Sequence, residues 1–401
     1  MNIQLPTAAP SLFKWPRVRL GEIAEHRLGK MLDKEKNTGV PRRYIRNPNI
    51  RWFDFDLSDL QEILVEEKDV HKYEIRDGDV LICEGGEAGR AALWKGNSDG
   101  IIFQKACHRV RVGPRLDAKY LIHRLFYDYH NGGLGDYYTG ATIKHFTGQD
   151  LARYEFPLPP LPEQRRIAAI LDKADALRRK RKRAIELLDN LMQSLFLEMF
   201  GEPTTNAKGF PLANLEDVVT AVVDCPHTTP NWAPSGKIAL RTSNLTAGGW
   251  DWSDKRFVSE QEFHERSVRA YVKPGDIVLS REGTVGVAAI VQDDMEVCLG
   301  QRLVHVRLDG ASIGREYLLS FLLYELSPRR ISRIMVGATS THLNLKDLRN
   351  MNVPIPPKIL QDDYRNKTDK IYFLKYRAQR MMSTIDTAFL SLQHRAFSGQ
   401  L

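Results

Sequence analysis

A constant offset of 197 residues relates the two halves of this 401-residue chain. Asp77-Gly78-Asp79-Val80-Leu81 returns as Pro274-Gly275-Asp276-Ile277-Val278. Gly86, Gly89, Ala91 and Ala92 return as Gly283, Gly286, Ala288 and Ala289. The series goes on through Gln104 and Gln301, His108 and His305, Tyr120-Leu121 and Tyr317-Leu318, and Gly140-Ala141 and Gly337-Ala338. It ends with His145 and His342, Leu151 and Leu348, and the prolines Pro157, Pro159 and Pro160 matched by Pro354, Pro356 and Pro357. A fixed period sets architecture before any local propensity does. The chain has to fold as two copies of one unit, each long enough to bury a core of its own.

Each copy ends in a proline stop and then a long helix. Pro159, Pro160 and Pro162 close the first block, and Pro162 suits a first helical position, where its missing N–H costs nothing. Glu163 places negative charge in the first turn, and no Gly or Pro intervenes before Gly201, a left-handed cap followed by Pro203. Ile167, Ile170, Ala174, Leu177, Arg181, Ala184, Leu188, Leu191 and Leu195 alternate in steps of 3 and 4, with only Arg181 breaking an apolar series. That is a coiled-coil seam on a helix of roughly 50 Å. The same offset predicts a partner seam at Tyr364, Lys367, Ile371, Leu374, Ala378, Met381, Ile385, Ala388 and Leu392, on a helix from about Asp362 to Phe397. The two helices are expected to pair with each other. Gly201–Phe210 reads as a polar linker between the halves.

The blocks before the helices, 15–157 and 209–354, read as short strands and loops. Strands are expected at Val80–Cys83, Ala91–Leu93 and Cys107–Val112, and helices around Lys119–Tyr129 and Asp150–Tyr154. The fold class is therefore α+β, two repeated mixed blocks each followed by a long helix. No apolar run reaches the length of a membrane span, and the first residues lack the pattern of a signal peptide. Cys83, Cys107, Cys225 and Cys298 form no CxxC pair, so a reduced, cytoplasmic protein without a cysteine-based zinc site is the simplest reading. The net charge of +8 favours a polyanionic partner.

Catalytic motifs are missing. There is no phosphate-binding GxxxxGK[ST], no GxGxxG opening a helix and no HExxH. Asn47-Pro48-Asn49-Ile50 lacks the second proline and the aromatic of an adenine methyltransferase motif and reads as a turn. Asp77 and Asp79, with Lys72, could be arranged as a nuclease centre, but Pro274 replaces the first carboxylate in the other half, which favours turns that start buried strands. The segments Glu84–Arg90 and Arg281–Gly286 are either simple hairpin connections or loops whose bare backbone can approach DNA. The segments Gly140–His145 and Gly337–His342 either cap the next helix or offer short hydroxyl donors to phosphates and base edges. The basic run Arg178–Arg183 points all round its helix, as a solvated face or a docking surface does.

Phe156-Pro157-Leu158-Pro159-Pro160-Leu161-Pro162-Glu163-Gln164 leads into Ile167–Asp172, and the helix ends in Leu195–Gly201. With the chain end Ser391–Phe397, these stretches resemble the specificity subunits of type I restriction-modification enzymes over essentially the whole chain. The second junction departs from that pattern, keeping Gln361 but losing the Pro-Glu pair. The resemblance implies a first target-recognition domain over 1–157, a helix over 158–200, a second recognition domain over 201–354 with its linker at 201–210, and a second helix over 355–401. It implies an antiparallel intramolecular coiled coil that spaces the two halves of a bipartite double-stranded DNA site. It also implies a non-catalytic chain with no cofactor of its own. S-adenosylmethionine would be carried by methyltransferase (modification) subunits, and ATP and Mg by restriction subunits with translocase and nuclease activity. The candidate DNA-contacting residues are Arg42, Arg43, Arg46, Arg90, Lys105, Thr142, Lys144 and His145 in the first half. In the second they are Arg241, Ser243, Asn244, Arg281, Thr284, Arg302, Thr339, Ser340, Thr341 and His342. Arg46 and Arg241 hold related places and suit backbone anchors. The competing readings are a self-sufficient DNA methyltransferase or nuclease, and a protein scaffold with no DNA role.

Overall fold

The structure is a computed structural model that describes residues 15–33, 37–140, 144–269, 271–327, 330–331 and 342–401. It divides into two compact units. The first runs to Arg181 and adds Met381–Leu401; the second is Lys182–Arg380. The units cut across the four segments expected from sequence, because the division passes through the middle of both long helices. Each unit is one globular block closed by half of each helix.

In the first unit an antiparallel sheet runs in the order Ala24–Leu28, Cys107–Val112, Val80–Cys83, Ala91–Leu93. Its central strand Val80–Cys83 is buried on every residue, as an apolar run bounded by turn residues predicts. The helix Ala118–His130 packs beside this sheet, with Asp117 accepting from the amides of Lys119 and Tyr120 at its start. A second sheet orders Gln61–Val65, Val40–Ile45 and Ile102–Phe103, the last pair parallel. The second unit repeats the first sheet with Ala221–Asp224, Leu303–Arg307, Ile277–Ser280 and Ala288–Ile290. Its other sheet joins Trp232–Ala233, Phe257–Val258, Lys237–Leu240 and Val297–Leu299.

The long helices are Leu161–Phe200 and Lys358–Phe397, 40 residues each, or about 60 Å. The first therefore begins one residue ahead of Pro162. The second starts at Lys358, not near Asp362, directly after Pro357. Gln361 explains why the missing Pro-Glu pair does not delay it. Its side chain accepts from the Gly314 amide at 2.7 Å and donates to the Pro356 carbonyl at 2.8 Å. Gln164 holds the first helix likewise, accepting from the Asp117 amide and donating to the Arg115 and Pro159 carbonyls, all at 2.8 Å. Gly201 ends the first helix at φ 77°, with its amide bonded to Leu197 O.

Within each unit the two helix halves run antiparallel. In the first, Arg166 reaches Leu401 O while Arg178, further along, pairs with Asp386 at 2.7 Å and lies over the Phe389 ring. Phe389, Ala396 and Phe397 thereby complete the core of the first unit, each ring contributing about 2 kcal/mol of burial. In the second, Asp189 meets Lys375 at 2.6 Å and Phe200 meets Tyr364. Phe196, Met199 and Phe200 complete that core.

The seam differs from the expected one at alternate positions. Ile167, Ala174, Leu188 and Leu195 hold their places, as do Tyr364, Ile371, Ala378, Ile385 and Leu392. Leu171, Arg178 and Met192 replace Ile170, Leu177 and Leu191, Ala184 and Ile185 are both half-buried, and Thr368, Lys375, Met382 and Phe389 replace Lys367, Leu374, Met381 and Ala388. Leu177 and Leu191 are about half exposed, at 49% and 51%. Counting apolar residues rejects Arg178, Thr368 and Lys375 as seam positions. In the folded chain each is satisfied locally, Arg178 and Lys375 by carboxylates and Thr368 by the Tyr364 carbonyl. The basic run is thus not uniformly solvated, since Arg178 lies in the seam, while the exposed Arg179 pairs with the buried Asp175 at 3.0 Å.

Candidate nucleic-acid interface

Strands Val80–Cys83 and Ala91–Leu93 form a hairpin whose connection is the glycine-rich segment. Gly89 adopts φ 97°, and a Cβ there would lie 2.6 Å from Leu134 Cδ1. Gly286, its repeat partner, adopts φ 85°, and a Cβ there would strike the Leu326 carbonyl at 2.1 Å. Only glycine satisfies both demands. Asn47, in the short 3-10 turn Asn47–Asn49, fastens the loop from below. Its side-chain Nδ2 donates to Gly85 O at 3.0 Å, and its backbone carbonyl accepts from Arg90 Nη2 at 2.9 Å. The turn expected at this segment is therefore what holds the loop in place.

A third segment joins them. His145 pairs with Thr139, and the Phe146 amide donates to Glu84 O at 2.7 Å. The Glu84 amide donates to Ala106 O, next to Lys105. Glu84, Lys105, Lys144 and His145 thus come together at one end of the sheet, the last three exposed. Burial pushes the Glu84 carboxyl up, against the pull of His145 and Lys105. The second unit repeats the arrangement. The Arg281 amide donates to Arg302 O, the Leu343 amide donates to Arg281 O, and Glu282 pairs with His342 across a β-bridge. Arg302 sits at φ 65° and reaches Glu282 at 3.4 Å, and Thr284 is exposed at the loop tip.

Other candidates have internal duties. Arg46 grips the Asp59 carboxylate at 2.6 Å and its carbonyl at 3.0 Å, and Arg241 does the same to Asp254 at 2.6 and 2.7 Å. Both are anchors of their own chain rather than free cations. Asn244 is buried, with Nδ2 on the Asp251 and Asp254 carbonyls, so it cannot face a base. Arg90 is buried and paired with Glu87 at 2.7 Å. Arg281 is held by Asp224 at 3.3 Å and Glu282 at 3.7 Å. Arg42 turns to Glu67 at 3.4 Å, whereas Arg43 and Ser243 are exposed. Thr142, Thr339, Ser340 and Thr341 lie outside the described residues.

Among the described residues no group of three or more His, Cys, Asp or Glu is placed to hold a metal ion. Burial raises the Cys83 thiol to about 11. Asp79 accepts from the Arg76 amide at 2.7 Å and from Arg111 at 2.8 Å, and Asp77 accepts from the Gly96 amide. Sequence reading passed over Glu84. The available signal was the exchange of Glu84 for Arg281 at equal places of the repeat.

The family described as type I restriction modification DNA specificity domain matches residues 14–187 and again 229–392. The chain belongs to this family. The type I restriction enzyme MjaVIII specificity subunit of Methanocaldococcus jannaschii is 23% identical over 366 residues, covering 85% of this chain and 82% of its own. The type I restriction enzyme EcoKI specificity subunit of Escherichia coli strain K12 is 22% identical over 390 residues, covering 89% of this chain and 82% of its own. The crystal structure of a type I restriction-modification system S subunit from M. genitalium shares the fold, with a TM-score of 0.55 at 15% identity over 98% of both chains. The two matches of the specificity domain fall on the two halves related by the offset, so each loop cluster belongs to one copy of it. Among the described residues no helix is long and apolar enough to cross a membrane.

Proposed function

We infer that this chain is the DNA specificity subunit of a type I restriction-modification complex. The observation that carries this is the pairing of one specificity domain with one loop cluster in each half. Each unit reads one half of a bipartite site in double-stranded DNA. Exposed Lys105, Lys144, His145 and Arg43 serve the first half-site, and Thr284, Arg302, Ser243 and His342 the second. The cations take phosphates and the short polar groups take base edges. Because the two clusters differ in side chains, the half-sites differ in sequence.

The long helices set the spacing between half-sites and carry the methyltransferase subunits. The apolar residues left outside the seam, Leu177, Leu187 and Leu191 on the first helix and Leu374 and Met381 on the second, are 46–56% exposed and suit such a partner. The chain is non-catalytic and works in the cytoplasm. S-adenosylmethionine is bound by the methyltransferase subunits, and ATP and Mg by the restriction subunits.

The methylome of cells carrying this chain with its modification subunit tests the reading. A split adenine-methylated motif is expected, and exchanging residues 15–157 for another recognition domain changes one half of it only. A continuous motif, or methylation by this chain alone, overturns it.

A further inference from the structure

We propose that Glu84 is a specificity-determining residue of the first unit, accepting a hydrogen bond from the exocyclic amino group of a cytosine or an adenine. The proposal rests on the DNA-specificity reading given above. Its backbone is held on both sides, by Ala106 O at 2.9 Å and by the Phe146 amide at 2.7 Å, so the side chain leaves the sheet from a fixed point. The carboxylate has no hydrogen bond or ion pair among the described residues, although Lys105 and His145 lie near enough to act on it electrostatically. Beyond it stands Gly86, where an added Cβ would meet nothing within 4 Å, so the loop leaves room for a ligand to approach.

The chemistry of a carboxylate decides what that ligand edge must be. Lys105 attracts phosphates, and the carboxylate near it repels them. It gains only where a donor faces it. In the major groove the donors are the cytosine N4 and adenine N6 amino groups. A free carboxylate among cations therefore weakens binding to DNA in general and restores it at the right base.

The repeat supplies a comparison inside the same chain. Arg281 occupies the place of Glu84, with its backbone held in the same way by Arg302 O and the Leu343 amide. Its guanidinium is tied to Asp224 and Glu282. The same point of the loop thus presents an unpaired acceptor in one unit and a paired donor in the other. A structural role common to both halves does not account for that exchange, whereas reading different bases does.

The test uses the full chain with its modification subunits and a pool of DNA duplexes randomised across both half-sites. Bound duplexes are sequenced for the wild type, Glu84→Ala and Glu84→Gln. The half-site of the first unit is identified by exchanging residues 15–157. Glu84→Ala is expected to lose about tenfold preference for a cytosine or adenine at one base pair of that half-site. Its binding to random duplex is expected to stay level or rise. The isosteric Glu84→Gln, which keeps shape and fold, is expected to shift the same base pair towards adenine, which glutamine can hold through N6 and N7. Unchanged preferences in both variants, equal weakening on every duplex, or a change in the other half-site overturns the proposal. A wild-type complex that selects no split sequence overturns the underlying reading as well, so the two failures are distinguishable.

Discussion

Lys375 gives its ammonium to Asp189 Oδ1 at 2.6 Å, from a position in the helix seam where its side chain is only 9% exposed. The ammonium also donates a hydrogen bond to the Ala247 carbonyl at 3.1 Å. Asp189 itself is 46% exposed. The two ends of the pair therefore respond differently to removal. Asp189→Ala leaves a buried ammonium without its carboxylate and should cost about 2 kcal/mol, after allowing for the exposed side of the pair. Lys375→Met removes the buried charge and fills the seam, and should stay within about 1 kcal/mol of the wild type. Urea unfolding, followed by hydrogen exchange in the second unit, measures both. Equal losses would show that the pair, and not the burial of the charge, governs this position.

Gln164 and Gln361 fix where the long helices begin. Gln164→Leu strands the Asp117 amide and the Arg115 and Pro159 carbonyls in a closed environment. A loss of about 3 kcal/mol is expected. Gln361→Leu strands only the Gly314 amide and the Pro356 carbonyl, and about 2 kcal/mol is expected. Thermal unfolding of the two variants should rank them in that order.

Acid should loosen the first unit through His108. Burial lowers its imidazole to about 4, only partly offset by the hydrogen bond to Phe146 O at 2.9 Å. With the folded value below the unfolded value near 6.5, the neutral ring favours folding. That contribution is complete above pH 6.5 and falls away as the pH drops towards 4. The full span is about 3 kcal/mol. Because Phe146 donates to Glu84 O, the loop cluster should loosen with it. Hydrogen exchange at pH 7.5 and 5 should report faster opening near Phe146 in the wild type. The pH dependence should be smaller in His108→Gln. An unchanged slope in that variant would assign the acid sensitivity elsewhere.

The exposed leucines of the first helix separate stability from assembly. Leu177→Ser with Leu191→Ser removes apolar groups that are about half exposed, so unfolding should change by less than about 0.5 kcal/mol per site. Binding to the methyltransferase subunits should weaken by about tenfold if this stripe is their seat. Titration of the subunits against the variant, watched by sedimentation, checks the pair of outcomes.

Much of the architecture was legible because it was written twice. The strands Val80–Cys83, Ala91–Leu93 and Cys107–Val112 fall where apolar runs between turn residues place them. The cap at Gly201 follows from the glycine that ends an uninterrupted helical run, and the matched starts of Leu161–Phe200 and Lys358–Phe397 follow from prolines at a constant offset. The candidate site was legible only as segments. Arg46 and Arg241 look alike as free cations until Asp59 and Asp254, 13 residues away in each case, are seen to hold them.

By itself the sequence determined the duplication, the two long helices and the loops that bear the polar side chains. These are local or periodic properties, set by turn chemistry, apolar spacing and the fixed offset. Only the tertiary structure decided which heptad positions face inward, which half of each helix closes which core, and which charges remain free to meet a ligand. Those outcomes depend on partners distant in the chain. Lys375 belongs in the seam because Asp189 is there to meet it, and Glu84 makes no hydrogen bond or ion pair among the described residues although Lys105 and His145 fold near it.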